Sequence, residues 1–264
     1  MDDIRTYLVD VPSEWPQLLV RCSRGAADQP QPAGTVRVWE DRADVWLAGG
    51  DRMELLRDPL TLHVTSRQPI APDAIIHPYL GLPATVTSRW LGRVAFHGGA
   101  FAHRGRAWVL LGAREAGKSA TLGALMRAGH PVISDDVLIV EGTTLFAGPR
   151  SVDLRAEPAQ QLGGEELGIV GNRTRWRLRP PPGPPQMELG GVIELEWGDG
   201  DRLEPLAPHE RLQALIASSF PPPKANTAAA LLEVAALPAW RYVRRRQLGQ
   251  LEVQIARLVA ELSS

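Results

Sequence analysis

The chain of 264 residues has a single cysteine, Cys22. No intramolecular disulfide or multi-cysteine metal site can form, and nothing calls for an oxidising compartment. Cys22 itself is expected to be a packing residue. Net charge is also nearly absent: 29 Lys plus Arg against 30 Asp plus Glu leave −1, with a pI of 6.6. That balance gives no electrostatic footprint for wrapping nucleic acid or coating an anionic membrane, although a local basic site stays open. No run approaches the ~20 apolar residues of a membrane span. The acidic start Met1-Asp2-Asp3 is followed by no apolar signal-peptide core, so the expected location is the cytoplasm. Low-complexity tracts and internal repeats are missing too. The 25 Gly and 23 Pro cluster at segment borders, and the longest cluster, Pro180 to Pro185, reads as a stiff extended loop between two strands. What is present is a globular composition, 44% hydrophobic and 22% charged, sufficient for one large domain or a small one plus a medium one.

From Val36 to Ser66 apolar and polar residues alternate, with Gly and Asp between the runs, which predicts strands. A helix interrupted near Pro83 is expected over Ala74 to Leu91, and a domain boundary is placed there. Ala107-Trp108-Val109-Leu110-Leu111 is a short continuous apolar run, the mark of a strand buried on both faces. Leu122, Leu125 and Met126 fall at helical spacing, and Gly129 sits where a left-handed residue would end that helix. Val132-Ile133-Ser134 and Val137-Leu138-Ile139-Val140 are the next strands, so the order is that of an α/β unit. Strands around Trp176–Leu178 and Gly191–Trp197 follow, then helices at Pro208–Ser218 and Lys224–Ala235. Leu248 to Leu262 forms an amphipathic helix with Leu251, Ile255, Leu258, Val259 and Leu262 on its core face.

Gly112-Ala113-Arg114-Glu115-Ala116-Gly117-Lys118-Ser119 matches G-x-x-x-x-G-K-[ST] between the buried strand and the helix, the context this motif requires. Successive backbone N–H groups and the helix N-terminus, with Ala120 in its first turn, would surround the phosphates of ATP. Lys118 would contact the β and γ phosphates, and the Ser119 hydroxyl would ligate Mg²⁺. Asp135 and Asp136 follow an apolar strand and would stand at the strand ends near that loop. Neighbours on an extended segment point opposite ways, so one carboxylate can face a metal while the other faces a hydroxyl acceptor.

The order His97-Gly98, Gly112, Gly117-Lys118-Ser119, Gly129-His130 and Asp135-Asp136 resembles the catalytic domain of HPr kinase/phosphorylase and its relatives. The flanking text, including Arg175-Trp176-Arg177 followed by prolines and Leu237-Pro238-Ala239-Trp240, is more similar to stand-alone kinases of ribosomally made peptides, the lasso peptide kinases that phosphorylate a C-terminal serine. The resemblance implies an α/β fold, with a smaller strand-rich N-terminal domain (1–90) and an HPr kinase-like phosphate-loop catalytic domain (91–264). It implies that Asp135 is the general base, that Asp136 is a Mg²⁺ ligand with Ser119, and that His97 serves the phosphate site or orients the base. Arg150 and Arg155 are candidates for neutralising phosphate or an acidic substrate terminus, and Arg173, Arg175 and Arg177 alternate on a strand and project to one face, where Arg175 would meet a substrate carboxylate. His63, His77, His103, His130 and His209 show no metal-ligand spacing and receive no role.

Two departures stand out. Glu115 puts a carboxylate inside the phosphate loop, where its charge opposes ATP unless it points outward. A glycine-rich phosphorylase signature is not found, so phosphorolysis is not expected. The expected function is a Mg²⁺/ATP-dependent kinase acting on a serine of a precursor peptide, with no nucleic-acid or membrane partner and with homo-oligomerisation left open. A kinase for HPr-type proteins or small-molecule hydroxyls, and a silent nucleotide-binding regulator, are the alternatives.

Overall fold

The computed structural model describes residues 7–26, 31–47, 50–70, 75–170, 173–220 and 227–263. The alternating text folds into a five-stranded sheet: β1 (Leu19–Arg24), β2 (Val36–Val38), β3 (Arg42–Trp46), β4 (Arg52–Leu56) and β5 (Thr61–Ser66), in the order β1-β5-β4-β3-β2. Every neighbouring pair is antiparallel except β1 with β5. Ala43 and Val45, Met53 and Leu55, and Leu62 and Val64 put one face into a common core, as a period of two demands. Helix α1 (Gly81–Trp90) closes that core with Val86. Two expectations need correction. Cys22 is exposed rather than packed, because β1 is an edge strand with little over it. The helix is not interrupted at Pro83, which sits in the first turn of α1 and so displaces no helical N–H bond. The break comes earlier, in the turn Ile75–Tyr79, where His77 is extended (φ −148°, ψ 125°). Ala74 lies outside the described residues.

The remaining chain builds a seven-stranded sheet. β6 (Val94–His103), β7 (Arg106–Leu111), β8 (Val132–Glu141) and β9 (Thr144–Phe146) come first. A small three-stranded sheet of β10 (Val152–Leu154), β11 (Glu165–Val170) and β12 (Arg173–Leu178) interrupts them. β13 (Gln186–Trp197), β14 (Arg202–Pro205) and β15 (Ala239–Arg244) complete the large sheet, in the order β14-β15-β13-β7-β6-β8-β9. The long β13 turns back to pair with β9 as well, curling the sheet toward closure. β7 lies inside it, parallel to β13 and antiparallel to β6, and is buried on both faces as its unbroken apolar text predicts.

One face carries α2 (Lys118–Arg127), α3 (Ala156–Leu162) and α6 (Leu251–Glu261), which pack Leu122, Leu125, Leu162, Ile255 and Leu258 into one cluster. The other carries α4 (Pro208–Ser218) and α5 (Ala228–Ala235), with Leu215, Leu231 and Val234 against Phe96, Val109 and Leu111. Lys224, where the last of these helices is expected to begin, lies outside the described residues. The proline cluster is the loop between β12 and β13, as expected. No helix among the described residues is long and apolar enough to cross a membrane. Near its start the chain already packs onto its far part: Tyr7, 1% exposed, lies under the Arg177 and Arg179 guanidiniums, and Trp15 meets the Phe146 ring edge-on.

Candidate functional site

The loop Gly112–Gly117 leaves the buried end of β7 and enters α2 at Lys118, so the motif has the strand–loop–helix setting its sequence calls for. Gly117 has φ 85°, a left-handed conformation. A Cβ there would lie 2.8 Å from the Arg244 guanidinium and 3.0 Å from the Trp197 ring. Glycine is therefore required twice over, for its torsion and for its surroundings. Lys118 is 8% exposed, and its Nζ donates to the carbonyls of Gly112 (2.9 Å) and Ala113 (3.1 Å). Burial lowers its pKa from the usual lysine value, opposed by the nearby Asp135 and Asp136. Glu115, at φ 70°, accepts a 2.9 Å bond from Arg155. That bond lowers its pKa, and the Arg155 guanidinium offsets the negative charge that Glu115 brings to the loop.

Asp135 and Asp136 are expected at the end of a strand, and instead lie in the middle of the ten-residue β8. The register of β6 against β8 sets Gly98 opposite Asp136 and Gly99 opposite Asp135. The missing side chains matter there: a Cβ on Gly99 would lie 2.5 Å from Leu122 of α2, so glycine lets the helix and the carboxylate strand close on each other. Ser119, in the first turn of α2, then donates to Asp135 Oδ1 at 3.2 Å. Burial, then repulsion from Asp136, pushes the Asp135 carboxyl up to about 7 against the pull of that hydroxyl. Asp136 takes φ 73° and points elsewhere. Burial alone would raise its pKa, but two imidazoles hold it well below the usual carboxylate range. His97 Nδ1 lies 3.0 Å from the Asp136 carbonyl and 3.3 Å from Oδ1, both acceptors, so this nitrogen carries the proton. His77 Nδ1 is 3.5 Å from Oδ2. The absence of a role for His77 is thus corrected: the extended break before α1 delivers its ring to Asp136.

Glu115, Lys118, Ser119, Asp135, Asp136 and His97 line a cleft of 740 Å³, with Arg114, Arg155, Arg173 and Arg175 on its rim and wall. Arg173 is crowded by Arg114 and Arg155, which lower its pKa and mark a cationic rim suited to oxyanions. Arg150 is not brought to this cleft; its guanidinium donates to the Pro180 carbonyl and its backbone N–H to Tyr7. Arg177 does not share the role of Arg173 and Arg175 either. It is buried in a two-pronged pair with Asp153, at 2.6 and 2.8 Å, where it ties β12 to β10. Among the described residues no group of three or more His, Cys, Asp or Glu side chains is arranged to hold a metal ion. The protein can offer the Ser119 hydroxyl and an Asp oxygen, a donor set that suits a cation held mostly through phosphate and water.

Sequence reasoning missed two residues that act on the loop. Arg244, at the end of β15 and 1% exposed, donates to the Ala116 carbonyl at 2.7 Å and stacks 4.3 Å over the Trp197 ring. Burial lowers its pKa to about 10. Trp197, at the end of β13, donates from Nε1 to the Glu115 carbonyl at 2.9 Å. Both sit at carboxyl ends of strands, Trp197 on β13 next to β7 and Arg244 on β15 one strand further out, and no motif in the text announces them. No protein-family model and no curated protein matches the chain. Among solved structures it is similar to the HPr(Ser) kinase/phosphatase of Coxiella burnetii, at 12% identity and a TM-score of 0.33, over 64% of this chain and 99% of that one.

Proposed function

We propose that the protein is a Mg²⁺/ATP-dependent kinase that transfers a γ-phosphoryl group to a serine hydroxyl. The observation that carries the reading is the half-buried Asp135 carboxyl that accepts the Ser119 hydroxyl at 3.2 Å at the mouth of a phosphate loop, where desolvation and Asp136 push it up to about 7. A carboxylate with that pKa is poised to take a proton near neutrality, and hydroxyl phosphorylation needs such an acceptor. Lys118 is placed to leave the two loop carbonyls for the β and γ phosphates, and loop N–H groups and the first turn of α2 supply the remaining donors. Ser119 and Asp136 would hold the magnesium ion, which supplies charge neutralisation on the phosphates.

In the reaction the serine oxygen bonds to phosphorus while the bond from phosphorus to the bridging oxygen breaks, and that oxygen keeps the electron pair as ADP leaves. Asp135 accepts the serine proton. Lys118 and the guanidiniums of the rim meet the charge that spreads over the transferring group. His97 and His77 keep Asp136 ionised and oriented. The pairing of Glu115 with Arg155 speaks against a silent regulator, since the carboxylate in the loop already has a cation beside it.

The acceptor we propose is the C-terminal serine of a ribosomally made precursor peptide, the substrate implied by the sequence resemblance to lasso peptide kinases. Intact mass of peptides ending in serine, internal-serine controls and HPr, after incubation with protein, ATP and Mg²⁺, tests it. Addition of one phosphate by wild type and none by Asp135→Asn is the expected result. Near-wild-type turnover by Asp135→Asn would remove the base from the mechanism.

A further inference from the structure

Asp135 and Asp136 are consecutive residues of β8, yet both line the 740 Å³ cleft, and both line a second cleft of 250 Å³ against α1. A regular strand cannot arrange this, because successive side chains leave it on opposite faces. Residues 134, 136 and 138 would share one face, and Leu138, fully buried, lies with Ile133 and Leu111 in the core beneath α4 and α5. An extended Asp136 would therefore carry its carboxylate into apolar side chains, where an unpaired charge is costly. The register agrees. Gly98 stands opposite Asp136 and shares its face, and a Cβ on Gly98 would meet Leu138 at 2.9 Å and Leu111 at 3.0 Å. Asp136 instead takes φ 73°. Its Oδ2 comes to the side of its neighbour Val137, so that a Cβ on Gly81 of α1 would lie 3.4 Å from Val137 and 3.8 Å from that oxygen.

Ser134 holds this turn of the chain. It is 1% exposed, and its hydroxyl donates to the Val137 carbonyl at 2.7 Å, across the two aspartates. Extended backbone advances about 3.3 Å per residue, so positions three apart stand roughly 10 Å from each other, beyond the reach of a serine hydroxyl. The bond closes only because the chain is contracted at Asp136, and bond and contraction hold each other. Gly148 covers the hydroxyl: its N–H donates to the Ile133 carbonyl at 3.0 Å, and a Cβ on it would overlap the Ser134 Oγ.

We propose that Ser134 is a positioning residue for phosphoryl transfer, whose hydroxyl holds Asp136 in the left-handed conformation that turns this carboxylate out of the core and into the cleft beside Asp135. Ser134 lines neither cleft and acts only through Asp136. The consequence for transfer rests on the kinase reading above, whereas the conformational claim stands on the strand alone.

Metal-free crystal structures of wild type and Ser134→Ala test the conformation. Wild type is expected to show a positive φ at Asp136 and Ser134→Ala a negative one, with the carboxylate withdrawn from His77 and His97. In turnover, Ser134→Ala should lower kcat and raise the Mg²⁺ concentration for half-maximal rate, each by about tenfold or more, as loss of a residue that orients a metal ligand does. The KM for ATP at saturating Mg²⁺ should not move. In an Asp136→Asn background the same substitution should cost less than about twofold, because its effect passes through the missing carboxylate. Circular dichroism and melting temperature establish that the variant folds. If it does not, Ser134→Cys carries the test, since it fills the same space with a weak donor and should show the same changes in smaller measure. A positive φ retained at Asp136 in Ser134→Ala, an unchanged kcat and Mg²⁺ requirement in whichever variant folds, or an equal loss in the Asp136→Asn background overturns the positioning role. A changed φ with no phosphate transferred by wild type would keep the Ser134 clasp and sink the kinase reading instead.

Discussion

At the scale of single residues, Asp135 is held where its chemistry costs stability. Its folded pKa, about 7, lies above the ordinary carboxylate value of 3.8. A raised pKa favours the folded state fully below the unfolded value, and that contribution is lost as pH rises from about 4 through about 7. Asp135→Asn removes the penalty, so the metal-free variant should melt at a higher temperature than wild type at pH 8 and show little difference at pH 4, while transfer is abolished. Equal melting curves at pH 8 would refute the buried, unfavourable ionisation. Asp136 differs, because His77 and His97 face it. Asp136→Asn should raise the Mg²⁺ concentration needed for half-maximal turnover, by about tenfold or more for the loss of a metal ligand. An unchanged Mg²⁺ titration would take Asp136 out of the metal site.

At the scale of elements, the phosphate loop is fixed from behind by strand ends. Arg244 on β15 and Trp197 on β13 grip the carbonyls of Ala116 and Glu115. Arg244→Met keeps the volume of the side chain and deletes one hydrogen bond from a charged group, worth about 1.5–3 kcal/mol. ATP affinity measured by calorimetry should fall roughly 10- to 100-fold while far-ultraviolet circular dichroism stays the same. Gly117→Ala attacks the same joint from the loop side. Its left-handed torsion and its approach to Arg244 and Trp197 both oppose a methyl group, so ATP binding should be lost with the fold retained.

At the scale of the whole molecule, α1 stands between the two large sheets. Val86 closes the core of the five-stranded sheet, and the same helix leans on β6 and β8, with Arg57 and Trp39, just past β4 and β2, bonded to Trp90. His77 and the second cleft lie at this junction. Leu62→Ala, in the fully buried centre of the first core, should cost about 2–5 kcal/mol. Through the shared helix, denaturation followed by tryptophan fluorescence and by loss of ATP binding should shift together. If the first sheet melts separately while ATP binding persists, residues 1–90 form an independent unit.

The sequence by itself determined the strands, the phosphate loop and its helix, because a period of two, an unbroken apolar run and a glycine-rich turn are local consequences of backbone geometry. It also marked Lys118, Ser119, Asp135 and Asp136 as chemical groups. It could not tell which carboxylate meets Ser119 and which is turned toward histidine, since that depends on the β6–β8 register and on a left-handed torsion at Asp136. Only the tertiary structure set His77 beside Asp136, Arg244 behind the loop, Arg177 inside an ion pair and Arg175 outside one. Those pairings join residues far apart in the chain, and no local pattern encodes a distance that only folding creates.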